Sequence, residues 1–183
     1  MEIIMNTTAM ILNQISPTNF MLDIPDNDYV KGLKLQVQGV TLPAINIPIT
    51  DVPLNPMIRG KIPGSAMEFD PLTIRFAVDE ELRSYLGVYL WMLGTVDFNT
   101  FDSVRWSEPQ QAMALHILDN SQSKTVATFR FYGAWPSNLG ELELMYTNDS
   151  DEAVSCMTMF NFAHMEIEID GRVIVPTPRK TQK

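Results

Sequence analysis

The residues able to do chemistry are few in this chain, and they are scattered. Its two histidines, His116 and His164, each sit inside a stretch that alternates like a β-strand. A lone histidine in such a place reads as a structural residue with a satisfied ring. The single cysteine, Cys156, lies in the apolar run 153–163, with no histidine or cationic group near it in sequence. That setting suits a small buried hydrophobe, because a nucleophilic thiolate needs positive surroundings. There is no cysteine pair, no His-Glu-x-x-His pattern and no cysteine–histidine cluster to hold zinc. A Gly-x-Ser-x-Gly elbow, a phosphate loop and a dinucleotide fingerprint are also missing. Asp26-Asn27-Asp28 and Asp149-Ser150-Asp151-Glu152 are acidic enough for calcium. In the first, Gly32 stands one residue away from where a calcium loop needs its glycine, and no distal glutamate follows. Both read as solvated turns. Glu80 and Glu81 are neighbours, and adjacent residues on a helix do not face a common point. The expectation is a protein with no catalytic residue, no cofactor and no metal: not an enzyme.

Composition narrows the class further. A lone thiol excludes an intrachain disulfide and fits a reducing compartment. The net charge of −9 opposes binding to nucleic acid through its phosphates. It is compatible with a wall past which DNA slides without sticking. With 183 residues, 45% hydrophobic and 19% charged, the chain has apolar side chains enough for one packed domain. Met1–Ile15 lacks the basic and apolar regions of a signal peptide, and no run reaches the ~18–20 apolar residues of a membrane span. No membrane role is expected.

The elements that must carry these residues are mostly strands. Ile4, Thr8, Ile11 and Ile15 share a helical face, which suggests a short N-terminal helix or arm ended by Ser16-Pro17. Residues 20–24, 33–40, 72–78, 115–118, 125–132 and 141–146 read as strands, and residues 97–111 as a loop. One long strand is expected over 154–169. Val154, Cys156, Phe160 and Phe162 make one of its faces apolar and Met157, Met159 and Ala163 the other, so it reads as buried on both faces. Toward its end Glu166, Glu168 and Asp170 alternate with Met165, Ile167 and Ile169. One helix opens at Asp79, a good N-cap, and carries Leu82, Tyr85, Leu86, Tyr89, Leu90 and Leu93 at helical spacing up to Gly94. That stripe is expected in the core.

Residues 41–66 are unusual. Prolines at 43, 48, 53, 56 and 63 bar them from a central strand, yet Ile45, Ile47 and Ile49 alternate. An extended arm or edge hairpin that carries apolar side chains outward fits both facts, and such an edge is tolerated when a partner covers it. The expected layout is therefore an N-terminal arm or helix (1–19), a β domain (20–170) and a basic C-terminal tail (171–183). The fold class is mainly β: an antiparallel sandwich or barrel with one packed helix and a proline-rich arm.

Several marks follow one another in order over residues 20–169. They are Thr41-Leu42-Pro43-Ala44, Phe69-Asp70, the run Ile74–Glu81, Tyr89-Leu90-Trp91 and the run Gly133–Leu142 (GAWPSNLGEL). In this order and spacing the chain resembles the tail-tube proteins of contractile-tailed bacteriophages. The resemblance implies a β-sandwich or barrel whose strands join those of neighbours into a ring, usually of six. Rings of this kind stack into a hollow tube inside a sheath, and the same fold serves as tube terminator, as baseplate-proximal initiator and in the type VI secretion needle. The helix entry Val78-Asp79-Glu80, with Tyr85-Leu86 and Trp91, is most similar to the terminator or tail-completion relatives. A virion structural protein of the tail, assembled in the host cytoplasm, is therefore expected. Its implied partners are its own copies, in the ring and in stacked rings, and tube, sheath, neck or baseplate proteins, while DNA passes without specific binding. In that setting Ile45, Ile47, Ile49, Ile58 and Ile62 are expected on an inter-subunit arm, and Glu166, Glu168 and Asp170 toward the lumen. The basic tail is expected to meet carboxylates of a neighbouring ring, the sheath or a neck protein. The alternative is a β-sandwich binding module or hydrolase whose site residues converge only in three dimensions.

Overall fold

The computed structural model describes residues 14–26, 35–103, 112–145 and 153–176. The N-terminal helix or arm (apart from its last residues), the second acidic turn and most of the basic tail lie outside the described residues.

The chain enters through β1 (Phe20–Asp23) and continues to β2 (Gln36–Thr41). The proline-rich stretch then forms β3 (Ile45–Asn46), β4 (Ile49–Asn55), β5 (Ile58–Pro63) and β6 (Glu68–Phe69). Next come β7 (Leu72–Ala77), the helix α1 (Arg83–Thr95) and a minimal pair, β8 (Val96–Asp97) with β9 (Asp102–Ser103). The remainder is β10 (Met113–Leu118), β11 (Thr125–Tyr132), β12 (Trp135–Leu139), β13 (Ser155–Asn161), β14 (His164–Ile169) and β15 (Arg172–Val173).

Two antiparallel sheets hold most of these strands. One runs β1-β10-β11-β14-β15 and the other β12-β13-β7-β2. Period-two alternation sends Leu72 and Ile74 of β7 and Phe160 of β13 inward, to meet Met113, Leu115 and Phe131 of the other sheet. Trp91 of α1 joins this core, its ring 5.4 Å from that of Phe160. The mainly β, antiparallel fold with one packed helix is as the residue pattern predicts.

Three elements differ from expectation. The single strand over 154–169 is two strands, β13 and β14, in different sheets. The chain turns at Phe162-Ala163, where the Phe162 ring lies 5.1 Å from Phe131 and the Ala163 N–H donates to the Tyr132 carbonyl at 2.8 Å. β13 then buries one face only: Cys156, Thr158 and Phe160 point inward, and Met157 and Met159 stay exposed. The strand expected over 141–146 is irregular as far as residue 145. Its place in the sheet is taken by β12, which contains Pro136. Because β12 is an edge strand, its proline leaves no central ladder bond unmade, and a bulge between Pro136 and Asn138 absorbs the misfit.

The helix is the third. Ser84, Gly87, Val88 and Trp91 face the core, while Leu82, Leu86, Tyr89 and Leu90 are exposed. Small residues on the inner side let α1 approach β12, and the Leu/Tyr stripe is left on the surface. Gly94 lies inside the helix, which ends a residue later.

Candidate functional site

Cys156 is buried, and burial pushes its thiol pKa up. Its Sγ–H donates to the Gly140 carbonyl at 3.4 Å. It is therefore poorly placed to act as a thiolate. No group of three or more metal-ligating side chains converges among the described residues. One large open cleft, about 1230 Å³, lies between residues 140–144 and the outer side of β7 and β13. Arg75 reaches into it and donates through Nε and Nη2 to Ser155 Oγ at 3.2 and 3.1 Å. Neither histidine lines it, and its acids are Glu141 and Glu143, so no nucleophile–base pair is assembled there.

What the fold does assemble is surface. The outer face of the five-stranded sheet carries an ordered polar array, because β11 and β14 pair with Thr128 opposite Glu168, Arg130 opposite Glu166 and Tyr132 opposite His164. Arg130 clamps Glu168 through Nε and Nη2 at 3.1 and 2.7 Å. The Tyr132 hydroxyl donates to Glu166 at 2.9 Å, and its ring stacks on His164 with centroids 4.6 Å apart. The hydrogen bond to Glu166 raises the Tyr132 pKa, as the Glu168 hydrogen bond raises that of Arg130. Asp170 sits just past this strand, in the Asp170-Gly171 turn, where both residues take positive φ. That is the two-residue turn an Asp-Gly pair forms between antiparallel strands. There Lys124 meets Asp170 at 2.6 Å, which holds the carboxyl below its ordinary pKa and raises that of the lysine. The three acids singled out in the sequence thus share one side of the molecule, and each has a partner of its own.

The apolar candidates lie elsewhere. Ile45 belongs to β3 and pairs with Phe69, and Ile47 lies between β3 and β4. Ile49 opens β4 opposite Pro63, Ile62 faces Thr50, and Ile58 faces Asn55. β4 and β5 pair only with each other, so this hairpin stands outside both main sheets. At its base the Gly64 N–H donates to the Pro48 carbonyl at 2.6 Å. All five isoleucines are exposed, and so are Leu54 and Met57, at 70 and 94%. Sequence reading missed those last two because neither fits the alternation of the isoleucines. A second apolar surface, the outer stripe of α1, was also missed, since helical periodicity is the same for a core face and an interface.

The described residues form a two-sheet β body capped by one helix, with an apolar hairpin outside the sheets. Solved structures agree on the fold. The tube-terminating cap of the anti-feeding prophage matches with a TM-score of 0.63 and 12% identity, over 92% of this chain and 99% of that one. The chain from the sheath/tube terminator of an extracellular contractile injection system matches with a TM-score of 0.56 and 13% identity, over 86 and 99%. No family model matches. In sequence, the chain is 40% identical over 166 residues to the tail tube terminator protein of Enterobacteria phage T4, covering 90% of this chain and 94% of that protein. This chain belongs to the tail tube terminator family: it is a structural protein of the virion tail and not an enzyme.

Proposed function

We propose that copies of this chain form a ring, of six subunits, that ends the tail tube and leaves a lumen through which DNA passes. The observation that carries this reading is the 40% identity, extending over nearly the whole chain, with a tail tube terminator. In this reading the β4–β5 hairpin is the inter-subunit arm, and Ile45, Ile47, Ile49, Ile58 and Ile62 bury against a neighbour what they expose in the isolated subunit. The outer face of the five-stranded sheet lines the lumen. Glu166, Glu168 and Asp170 there balance the cations Arg130, Lys124 and Arg172 around them, so passing phosphates find no net positive charge to hold them. The ring sits on tube subunits beneath the sheath, and the basic segment 171–183 reaches carboxylates of the tube, sheath or a neck protein. Assembly takes place in the host cytoplasm, where the single thiol stays reduced.

Replacing residues 49–63 by a short turn tests the arm. The shortened protein is expected to fold and to stay monomeric, while the full chain forms rings that cap tail tubes under the electron microscope. A full chain that remains monomeric when mixed with tubes would overturn the ring itself. Rings formed by the shortened protein would overturn only the arm.

A further inference from the structure

The sandwich is open along one side. β1 is an edge of the five-stranded sheet and β2 an edge of the four-stranded one, and the two line adjoining cavities of about 290 and 400 Å³. Phe20 and Leu22 of β1 stand across from Val37 and Val40 of β2, with Ile117 of β10 between the sheets. These side chains pack against the core but are only partly buried. At the other edge of the four-stranded sheet, beside β12, α1 covers the core through Trp91. The groove between β1 and β2 has no such cover among the described residues.

The described chain begins at the rim of this groove. Ile15, Ser16 and Pro17 line it, and Ile15 is exposed. The Gln14 carbonyl accepts from Asn120 Nδ2 at 3.2 Å. Asn19 fastens the same turn, its N–H donating to the Ser16 carbonyl at 3.3 Å and its Nδ2 to the Asp119 carbonyl at 2.9 Å. Upstream of Gln14 stand Ile3, Ile4, Met5, Met10, Ile11 and Leu12, with Glu2 the one charged side chain in residues 1–13. That composition suits an apolar groove. So does the length. Thirteen residues span ~20 Å as a helix and ~43 Å as a strand, against ~13 Å for the four residues of β1.

We propose that residues 1–13 lie in the groove between β1 and β2 of their own chain, with Ile11 seated beside Ile15. Ile11 stands four residues before Ile15, a spacing that shares a side on a helix and on a strand alike. The occupant is the chain's own segment because Gln14 is held at the rim, which keeps Ile11 within ~14 Å of Ile15 even when fully extended. The seat is formed within one subunit and needs no ring.

Hydrogen exchange and cross-linking of the full chain test this, with circular dichroism as the check on folding. Ile11→Asp is expected to speed exchange at the amides of β1 and β2 by about tenfold or more, since a carboxylate does not stay in an apolar seat. Asn6→Asp is the control. Asn6 stands nine residues before Ile15, on the opposite side of a helix and of a strand, and exchange is expected to match the parent. Leu42 also lines the groove and is exposed. In the variant Ile11→Cys/Leu42→Cys, a short bis-maleimide is expected to join the two thiols within one chain, which runs as a monomer of altered mobility on denaturing gels. Cys156 is buried, and the two single variants control for it. Unchanged exchange in folded Ile11→Asp, or equal acceleration by Asn6→Asp, overturns the proposal. Cross-linked dimers as the main product overturn it too, because the segment then occupies the groove of a second copy.

Discussion

Asp79 organises the start of α1 from outside the helix. Leu82 takes a left-handed conformation, φ 55°, at the residue before the first turn. That conformation is strained for a branched side chain. It lets the Asp79 carboxylate accept from the Ser84 hydroxyl at 2.6 Å and from the Ser84 and Arg83 N–H groups at 2.9 and 3.1 Å. These bonds, led by the Ser84 hydroxyl, lower its pKa from 3.8 to about 2. Because the folded value is the lower one, the stabilisation is complete above the unfolded value of 3.8 and disappears as pH falls through about 2. Asp79→Ala is therefore expected to lower the melting temperature at pH 7, and the gap from the parent protein is expected to close between pH ~4 and ~2. Thermal melts across that range check it, and a gap that stays constant with pH would refute the assignment. A role for Asp79 at the helix start was legible, since an acid ahead of helical spacing has a known use, but the N-cap position expected there falls on Leu82. The left-handed Leu82 that moves the helix start to Arg83 was not, because no local residue signal demands it. Glu166, Glu168 and Asp170 show the same division. Their spacing was readable, but their partners Tyr132, Arg130 and Lys124 depend on which strand pairs with β14.

At the scale of elements, apolar periodicity identified strands and helix but not their directions. The stripe from Leu82 to Leu93 satisfied every rule for a core-facing helix, yet the buried side is Ser84, Gly87, Val88 and Trp91. In a subunit that joins others, an apolar stripe serves an interface as well as a core, and sequence does not distinguish them. The run 154–169 misled for a related reason. Its second apolar face, Met157 and Met159, is exposed in the single subunit. The bend that sends β13 and β14 to different sheets depends on Phe162 packing near Phe69 and Phe131, which are distant in sequence. β11, by contrast, was read from residue 125 to 132 as it stands, because strong alternation and clear turn residues agreed. The helix is anchored where Trp91 meets Phe160, whose side chain is fully buried. Phe160→Ala is expected to cost about 3–5 kcal/mol through the cavity it leaves. Urea unfolding followed by circular dichroism measures it, and a loss under ~1 kcal/mol would mean that the core closes over the gap.

For the molecule as a whole, charge separates a conduit from a binder. Among the described residues, two cations of the polar face of the five-stranded sheet, Arg130 and Lys124, are each tied to a carboxylate, and Arg172 also acts on Asp170. Removing those carboxylates exposes the cations, and lysines put in their place add more. The variant Glu166→Lys/Glu168→Lys/Asp170→Asn does both, with asparagine chosen because residue 170 has φ 49°, which asparagine tolerates. Repeated around a ring, the change builds a positive band that neutralises several phosphates at once. Affinity for DNA should then fall steeply with salt, with a log–log slope near −0.9 for each phosphate contacted. Parent rings are expected to leave DNA unretarded at ~0.15 M salt, within the range where surface charges are largely screened beyond ~8 Å. Topology locates the band. Linear duplex can thread a lumen, but a covalently closed circle cannot enter a closed ring. If the face lines the lumen, variant rings retard linear DNA and leave circles of the same length untouched. Equal retardation of both forms would place these residues on the outer wall, and no retardation of either would show that they do not meet DNA at all.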